Sequence, residues 1–159
     1  MDKKSLLKLI AAIVGCEIAG SIGSLFTMPS IPTWYAFLAK PAFTPPNWVF
    51  APVWTTLFFL MGVSLYLIWD KGLQKKEARL AVYVFGFQFA LNILWSFLFF
   101  GLKNPFLAFV EIIWLWLFIL ATIILFSRIS KKASWLLFPY FVWVTCASAL
   151  NYAVWILNA

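Results

Sequence analysis

Residues 105–126 read PFLAFVEIIWLWLFILATIILF, in which only Glu111 and Thr122 interrupt an apolar and aromatic run. A helix of about 20 such residues spans the hydrocarbon core of a bilayer. Pro105, following Asn104, suits the first turn of that helix, where a missing N–H costs nothing. Ser127-Arg128 supplies the polar stop. Working outward from this segment, four more stretches have the same character: 5–26, 46–69, 78–100 and 133–157. The reading is an all-α integral membrane protein, one bundle of five transmembrane helices over residues 1–159. The short connections predict that successive helices are antiparallel neighbours. The one long connection, residues 27–45, is spaced by Pro29, Pro32, Pro41 and Pro45 and carries buriable aromatics. Such a segment is expected to pack as a lid rather than to act as a loose linker.

Composition agrees with this. The chain is 65% hydrophobic, 21% aromatic and 11% charged, against about 25% charged residues in soluble domains. Its mean hydropathy is +0.97. With no histidine in the sequence, Ser-His-Asp triads, HExxH zinc sites and histidine-ligated haem are all excluded. Cys16 and Cys146 lie in apolar runs at no metal or redox spacing. Nor is there a glycine-rich nucleotide motif. The pI of about 9.6 reflects orientation rather than nucleic acid. Ten basic residues precede or open the first span or lie around the second and fourth connections, and only Lys40 and Lys103 lie on the other side. The N-terminus is therefore expected in the cytoplasm, and the C-terminus and first loop outside. Ile13-Val14-Gly15-Cys16 loosely resembles a lipoprotein cleavage box. Because Glu17 follows at once and the apolar run continues to Phe26, the first span reads as retained.

Three sets of residues have the spacing of one helical face: Trp54 and Phe58; Asn92, Trp95 and Phe99; and Trp143, Ala147 and Leu150. Pro52 and Pro139 should bend their helices and free carbonyls near Trp48 and Trp135. Aromatic stripes of this kind serve packing or a site, and spacing alone does not choose between them. Trp69, Trp114, Trp116 and Trp155 read as interfacial or lipid-facing anchors. Glu17 and Glu111 lie within spans, where a charged carboxylate is costly. Each is expected to be neutral, hydrogen-bonded or turned to an aqueous cavity. Gly15, Ala19 and Gly23, and Gly86 with Ala90, form small-residue stripes suited to close helix packing.

The order of the motifs adds a family likeness. Trp34-Tyr35-x-x-Leu38-x-Lys40-Pro41-x-x-x-Pro45-Pro46-x-Trp48-x-Phe50-x-Pro52-x-Trp54 is followed by Ala90-Leu91-Asn92-x-x-Trp95-x-x-x-Phe99-Phe100-Gly101. Pro139-Tyr140-x-x-Trp143-x-x-x-Ala147-x-x-Leu150-Asn151-Tyr152 comes last. Over nearly its whole length the chain resembles the TspO/translocator-protein family, the tryptophan-rich sensory proteins or peripheral benzodiazepine receptors. That resemblance implies a five-helix homodimer with a pocket for porphyrins and, in animal members, drug ligands and cholesterol. It favours site over packing for Tyr35, Trp54, Asn92, Trp95 and Trp143, and it raises Gly86 and Ala90 as a dimer interface. With these, Gly23, Lys40, Pro45, Phe58, Ala147 and Leu150 complete the expected ligand site. Lys40 is the cation that would meet ligand carboxylates at the outer mouth.

The implied ligand is protoporphyrin IX or a related tetrapyrrole, with no cofactor or metal required. Light-driven porphyrin degradation would use Trp54 and Trp143, since no acid–base or nucleophile constellation is present. Transport is a third reading, though without an inverted repeat. The basic residue that animal members carry after the tyrosine of a cholesterol-recognition pattern is missing after Tyr152.

Overall fold

A computed structural model describes residues 2–159. Helix α1 spans Lys3–Ser30, α2 Asn47–Asp70, α3 Lys76–Ser96, α4 Pro105–Ser127, α5 Lys131–Leu136 and α6 Phe138–Leu157. Helix α3 runs on through a π turn at Phe97–Gly101, and α5 and α6 form one broken span. Five helical segments are thus long and apolar enough to cross a membrane, and no strand occurs among the described residues.

Local chemistry sets the ends. Asp2 accepts from the Ser5 N–H at 2.7 Å, and Asn104 from the Leu107 N–H at 3.0 Å, each satisfying a donor the helix leaves unpaired. Pro105 takes the first turn of α4 as expected. Gly72 (φ 92°) supplies the left-handed residue after α2. In the fifth span the break falls at Leu137, with Pro139 in the first turn of α6 rather than inside a continuous helix. Pro29 is tolerated inside α1, so that helix reaches Ser30 and shortens the first connection to residues 31–46.

The neighbour relations correct one expectation. α3 packs on α4, and α4 on α5 and α6, as short connections require, and α1 packs on α2 across the long connection. Consecutive α2 and α3, however, barely touch. α1 lies against both of them, and α5 packs on α2 from the other side. The ring therefore runs α2, α1, α3, α4, α5/α6 and back to α2. The core of this ring holds Met61, Ile68, Ala81, Ile112, Leu115, Phe126 and Val144, all essentially inaccessible. Leu7, Ile18, Leu25, Tyr83 and Trp114 cover the outside, an apolar exterior that suits lipid.

Small residues set close approaches at one stripe position, Gly23, and at Gly62 and Gly20, which the stripes leave out. A Cβ on Gly62 would lie 2.6 Å from the Ile13 Cα, so α1 and α2 meet backbone to backbone there. Gly20 faces the Phe58 ring, and a Cβ on Gly23 would lie 3.0 Å from Ser96 Oγ. Gly15 and Gly86 face open space, so Gly15 is not a packing contact within this chain.

Candidate functional site

Four of the five spans enclose a cavity of about 390 Å³ in the half of the bundle nearest the first loop. α2 and α6 build one aromatic wall. Trp54 stacks on Phe58 at 5.4 Å between centroids and meets Trp143 edge to face at 6.5 Å. Phe50 closes on Trp143 at 5.9 Å. α3 and its π turn build the second wall, where Trp95 stacks on Phe99 at 5.2 Å and meets Phe100 at 90°. The extra residue of a π turn rotates the chain beyond it about the helix axis, and here it brings both Phe99 and Phe100 to the cavity. Aromatic side chains supply broad apolar area and, in tryptophan, a polar edge.

The third wall is polar. Glu17, Ser21, Ser24 and Thr27 of α1 line the cavity, with Gly20 and Gly23 between them. Sequence reasoning missed this face, although its signal was present: 17, 20/21, 24, 27/28 and 31 repeat at the helical period. Of the expected alternatives for Glu17, the structure chooses the cavity. The Ser21 hydroxyl donates to Ile18 O and the Ser24 hydroxyl to Ser21 O, both at 2.6 Å, leaving each oxygen able to accept from a guest.

Buried hydrogen bonds hold the walls in register. Asn92 Nδ2 donates to Tyr140 Oη at 3.0 Å, and Tyr140 donates to Gln88 Oε1 at 3.0 Å. Asn92 is therefore both an interhelical strut and a cavity residue. Trp95 Nε1 donates to Asn151 Oδ1 at 2.9 Å, while Asn151 Nδ2 donates to Pro105 O at 2.8 Å. A single amide thus joins α3, α4 and α6. Asn151→Leu would leave a buried indole N–H and a carbonyl unpaired and should destabilise the fold by about 2–3 kcal/mol. A lowered thermal unfolding midpoint in detergent checks this, and an unchanged midpoint would rule the strut out.

The loop over residues 31–46 lies at the same end and contributes Ile31 and Tyr35 to the lining. Ser30 Oγ donates to Phe100 O at 3.0 Å. Tyr35 is buried against Phe99 and Phe100 and lines the cavity. Loss of hydration pushes its phenol up from the ordinary value, so the hydroxyl stays neutral. At the far end, the Ala39 N–H donates to Asn158 Oδ1 and Asn158 Nδ2 donates to Ala39 O, both at 2.9 Å.

Gly23, Tyr35, Trp54, Phe58, Asn92, Trp95, Trp143, Ala147 and Leu150 all line this one cavity. Two expected residues do not. Lys40 sits behind Tyr35, its Nζ 4.8 Å from the ring centroid and donating to Leu38 O at 3.0 Å. Pro45 is outside the lining, which α2 enters at Asn47. Trp116 proves to be tied down as well as peripheral, its indole donating to Thr145 Oγ1 at 2.8 Å. Among the described residues no cluster of three metal-ligating side chains occurs.

The fold and cavity define a five-helix integral membrane protein whose bundle holds an aromatic-walled cavity. Residues 12–156 match the model of the TspO/MBR family, and the chain belongs to that family. It is 48% identical over 155 residues to "Tryptophan-rich protein TspO" of Archaeoglobus fulgidus, covering 98% of this chain and 99% of that protein. With the protein of the same name from Chlorobaculum tepidum the identity is 43%, covering 98% of each. The human translocator protein is 35% identical over 147 residues, 92% of this chain and 85% of its own.

Proposed function

We propose that this protein binds and senses a tetrapyrrole, protoporphyrin IX or a close relative, within the membrane. The observation that carries the reading is the cavity's asymmetry: two aromatic walls beside one lined by hydroxyls and a carboxyl. A flat macrocycle presents two apolar faces and a polar edge, which such a site complements. About 390 Å³ lies within the usual range for small-molecule sites, roughly 300–1,000 Å³. With no histidine in the chain, a metal-free or already ligated macrocycle is favoured. The loop over residues 31–46, packed through Tyr35 on Phe99 and Phe100 and bonded through Ala39 to Asn158, is the lid of this reading, with Lys40 one ring behind the wall. The exposed face of α3 around Tyr83, Gly86 and Ala90 supports a homodimer built there, since nothing within the chain lies within 4 Å of a Cβ placed on Gly86.

One contact favours a second reading, light-dependent breakdown of the bound macrocycle. Trp54 and Trp143 lie edge to face at 6.5 Å on the cavity wall, so two readily oxidised indoles would flank an excited ligand. Titration with protoporphyrin IX in detergent, in darkness and under illumination, tests both readings. Saturable quenching of tryptophan emission is expected. Replacing Trp54 and Trp143 together by Phe keeps the walls and should retain most affinity while losing any photoproduct. If binding does not saturate in the unmodified protein, the tetrapyrrole reading fails. If the double variant converts porphyrin at the original rate, the photochemical one fails.

The orientation we infer from the basic residues has the C-terminus outside. A phosphatase reporter after Ala159 should be active and one near Lys75 inactive; the opposite pattern would reverse the topology.

A further inference from the structure

A second concavity, of about 360 Å³, runs between α3 and α4 on the outer side of the bundle. These helices are antiparallel, so Leu98 and Leu107 mark its loop end while Phe87 and Phe118, with ring centroids 4.6 Å apart, close its floor. From Leu98 to Phe87 the groove is roughly 16 Å long at helical rise. One lining residue breaks its hydrocarbon character. Glu111 is 7% exposed, and neither carboxyl oxygen has a hydrogen-bond partner among the described residues. Gln88 Nε2 is also unpartnered, but Gln88 faces Tyr140 on the inner side of α3 and does not line the groove. α4 contributes nothing to the central cavity, so this is a separate place.

Buried polar groups without partners are rare and call for an explanation. A lipid acyl chain filling the groove would leave the carboxyl unpaired. Glu111 lies six residues into α4, roughly 9 Å from its end, too deep for a phosphate head resting at the interface. An ammonium would require a charge pair in hydrocarbon, where desolvating both ions offsets their attraction. A neutral carboxyl group both donates and accepts, and a hydroxyl does the same. We propose that the α3–α4 groove is a second ligand site, for an uncharged, single-chain amphiphile whose hydroxyl pairs with Glu111. Its chain lies along the leucines toward Phe87 and Phe118. The site is independent of the tetrapyrrole reading.

The test uses the full-length protein in nanodiscs and a photoactivatable diazirine analogue of hexadecanol, with labelled peptides mapped by mass spectrometry. Saturable labelling within residues 105–118 is expected, displaced by hexadecanol and not by hexadecane. Glu111→Gln, which still donates and accepts, should keep it. Glu111→Leu should weaken it roughly five- to tenfold, the scale of one hydrogen bond. Val110→Trp projects from the lipid-exposed groove wall, leaves the core and Glu111 intact, and should also abolish saturation, so the test survives if Glu111→Leu misfolds. Labelling that never saturates, or that is unchanged in Val110→Trp, would reduce the groove to lipid-filled surface and overturn the proposal. Stronger displacement by hexadecylamine than by hexadecanol, with loss in Glu111→Gln, would overturn it in favour of a cation site.

Discussion

Ala147→Trp should reduce protoporphyrin IX affinity by at least a hundredfold, about 2.8 kcal/mol, while leaving the helical content and unfolding midpoint nearly unchanged. Ala147 lines the cavity on α6, one turn beyond Trp143 and one before Leu150. An indole added there grows into empty space rather than into a packed neighbour, so it displaces the guest without straining the bundle. Ala147→Ser adds only a hydroxyl and should bind nearly as the unmodified protein does. Titration by tryptophan quenching would be compromised by the new fluorophore, so porphyrin absorbance in detergent is the proper readout. If Ala147→Trp binds as tightly as Ala147→Ser, the macrocycle does not occupy this cavity.

Gly62→Leu should separate α1 from α2 and destabilise the protein by about 3 kcal/mol or more. The neighbours of the added Cβ are backbone atoms: Ile13 Cα at 2.6 Å, Ile13 N at 3.0 Å and Ala12 O at 3.1 Å. A flexible side chain could swing aside, but a helix backbone moves only as a unit. In lipid no hydrophobic drive presses helices together, so close packing carries much of their association. Gly86→Leu is the control, because nothing lies within 4 Å of its Cβ position. Within the monomer it should be neutral or slightly stabilising through better helix propensity. Equal unfolding midpoints for the two variants, measured in detergent under conditions that keep the protein monomeric, would refute the backbone contact.

The same contrast shows where sequence reading stops. Gly15, Ala19 and Gly23, and Gly86 with Ala90, have the spacing of packing stripes; Gly23 does pack on Ser96, yet the backbone-to-backbone contact is made at Gly62, which belongs to neither stripe. Spacing says which residues share a face of one helix. It does not say what that face meets. Helical periods put Trp54, Asn92, Trp95, Trp143, Ala147 and Leu150 on single faces of three separate spans, but it was the family likeness, not the spacing, that marked those faces as a site rather than packing. The serines and threonine of α1 were not noticed, since in an apolar helix such residues are easily taken for packing, and only Glu17 stood out. Phe99 and Phe100 are adjacent in sequence, and a regular helix would set them about 100° apart; the π turn lets both reach the cavity.

Hydropathy alone identified five helical spans long and apolar enough to cross a membrane, though not the extension of α1 to Ser30 or the break at Leu137, because that question concerns each segment and its solvent separately. Asn104-Pro105 and Ser127-Arg128 likewise fixed α4 through local backbone and capping chemistry. The order of helices around the ring was decided only in three dimensions. α2 and α3 are joined by a short connection, yet α1 occupies the place between them, because Gly62 and Gly20 let α1 sit close on α2 while Gly23 and Ser30 seat it on α3 and its π turn. The cavity exists through that displacement, its walls brought together by contacts such as Trp95–Asn151 and Asn92–Tyr140. Partners so far apart in the chain carry no local signature, and their pairing depends on which backbones can approach closely enough for side-chain hydrogen bonds to form.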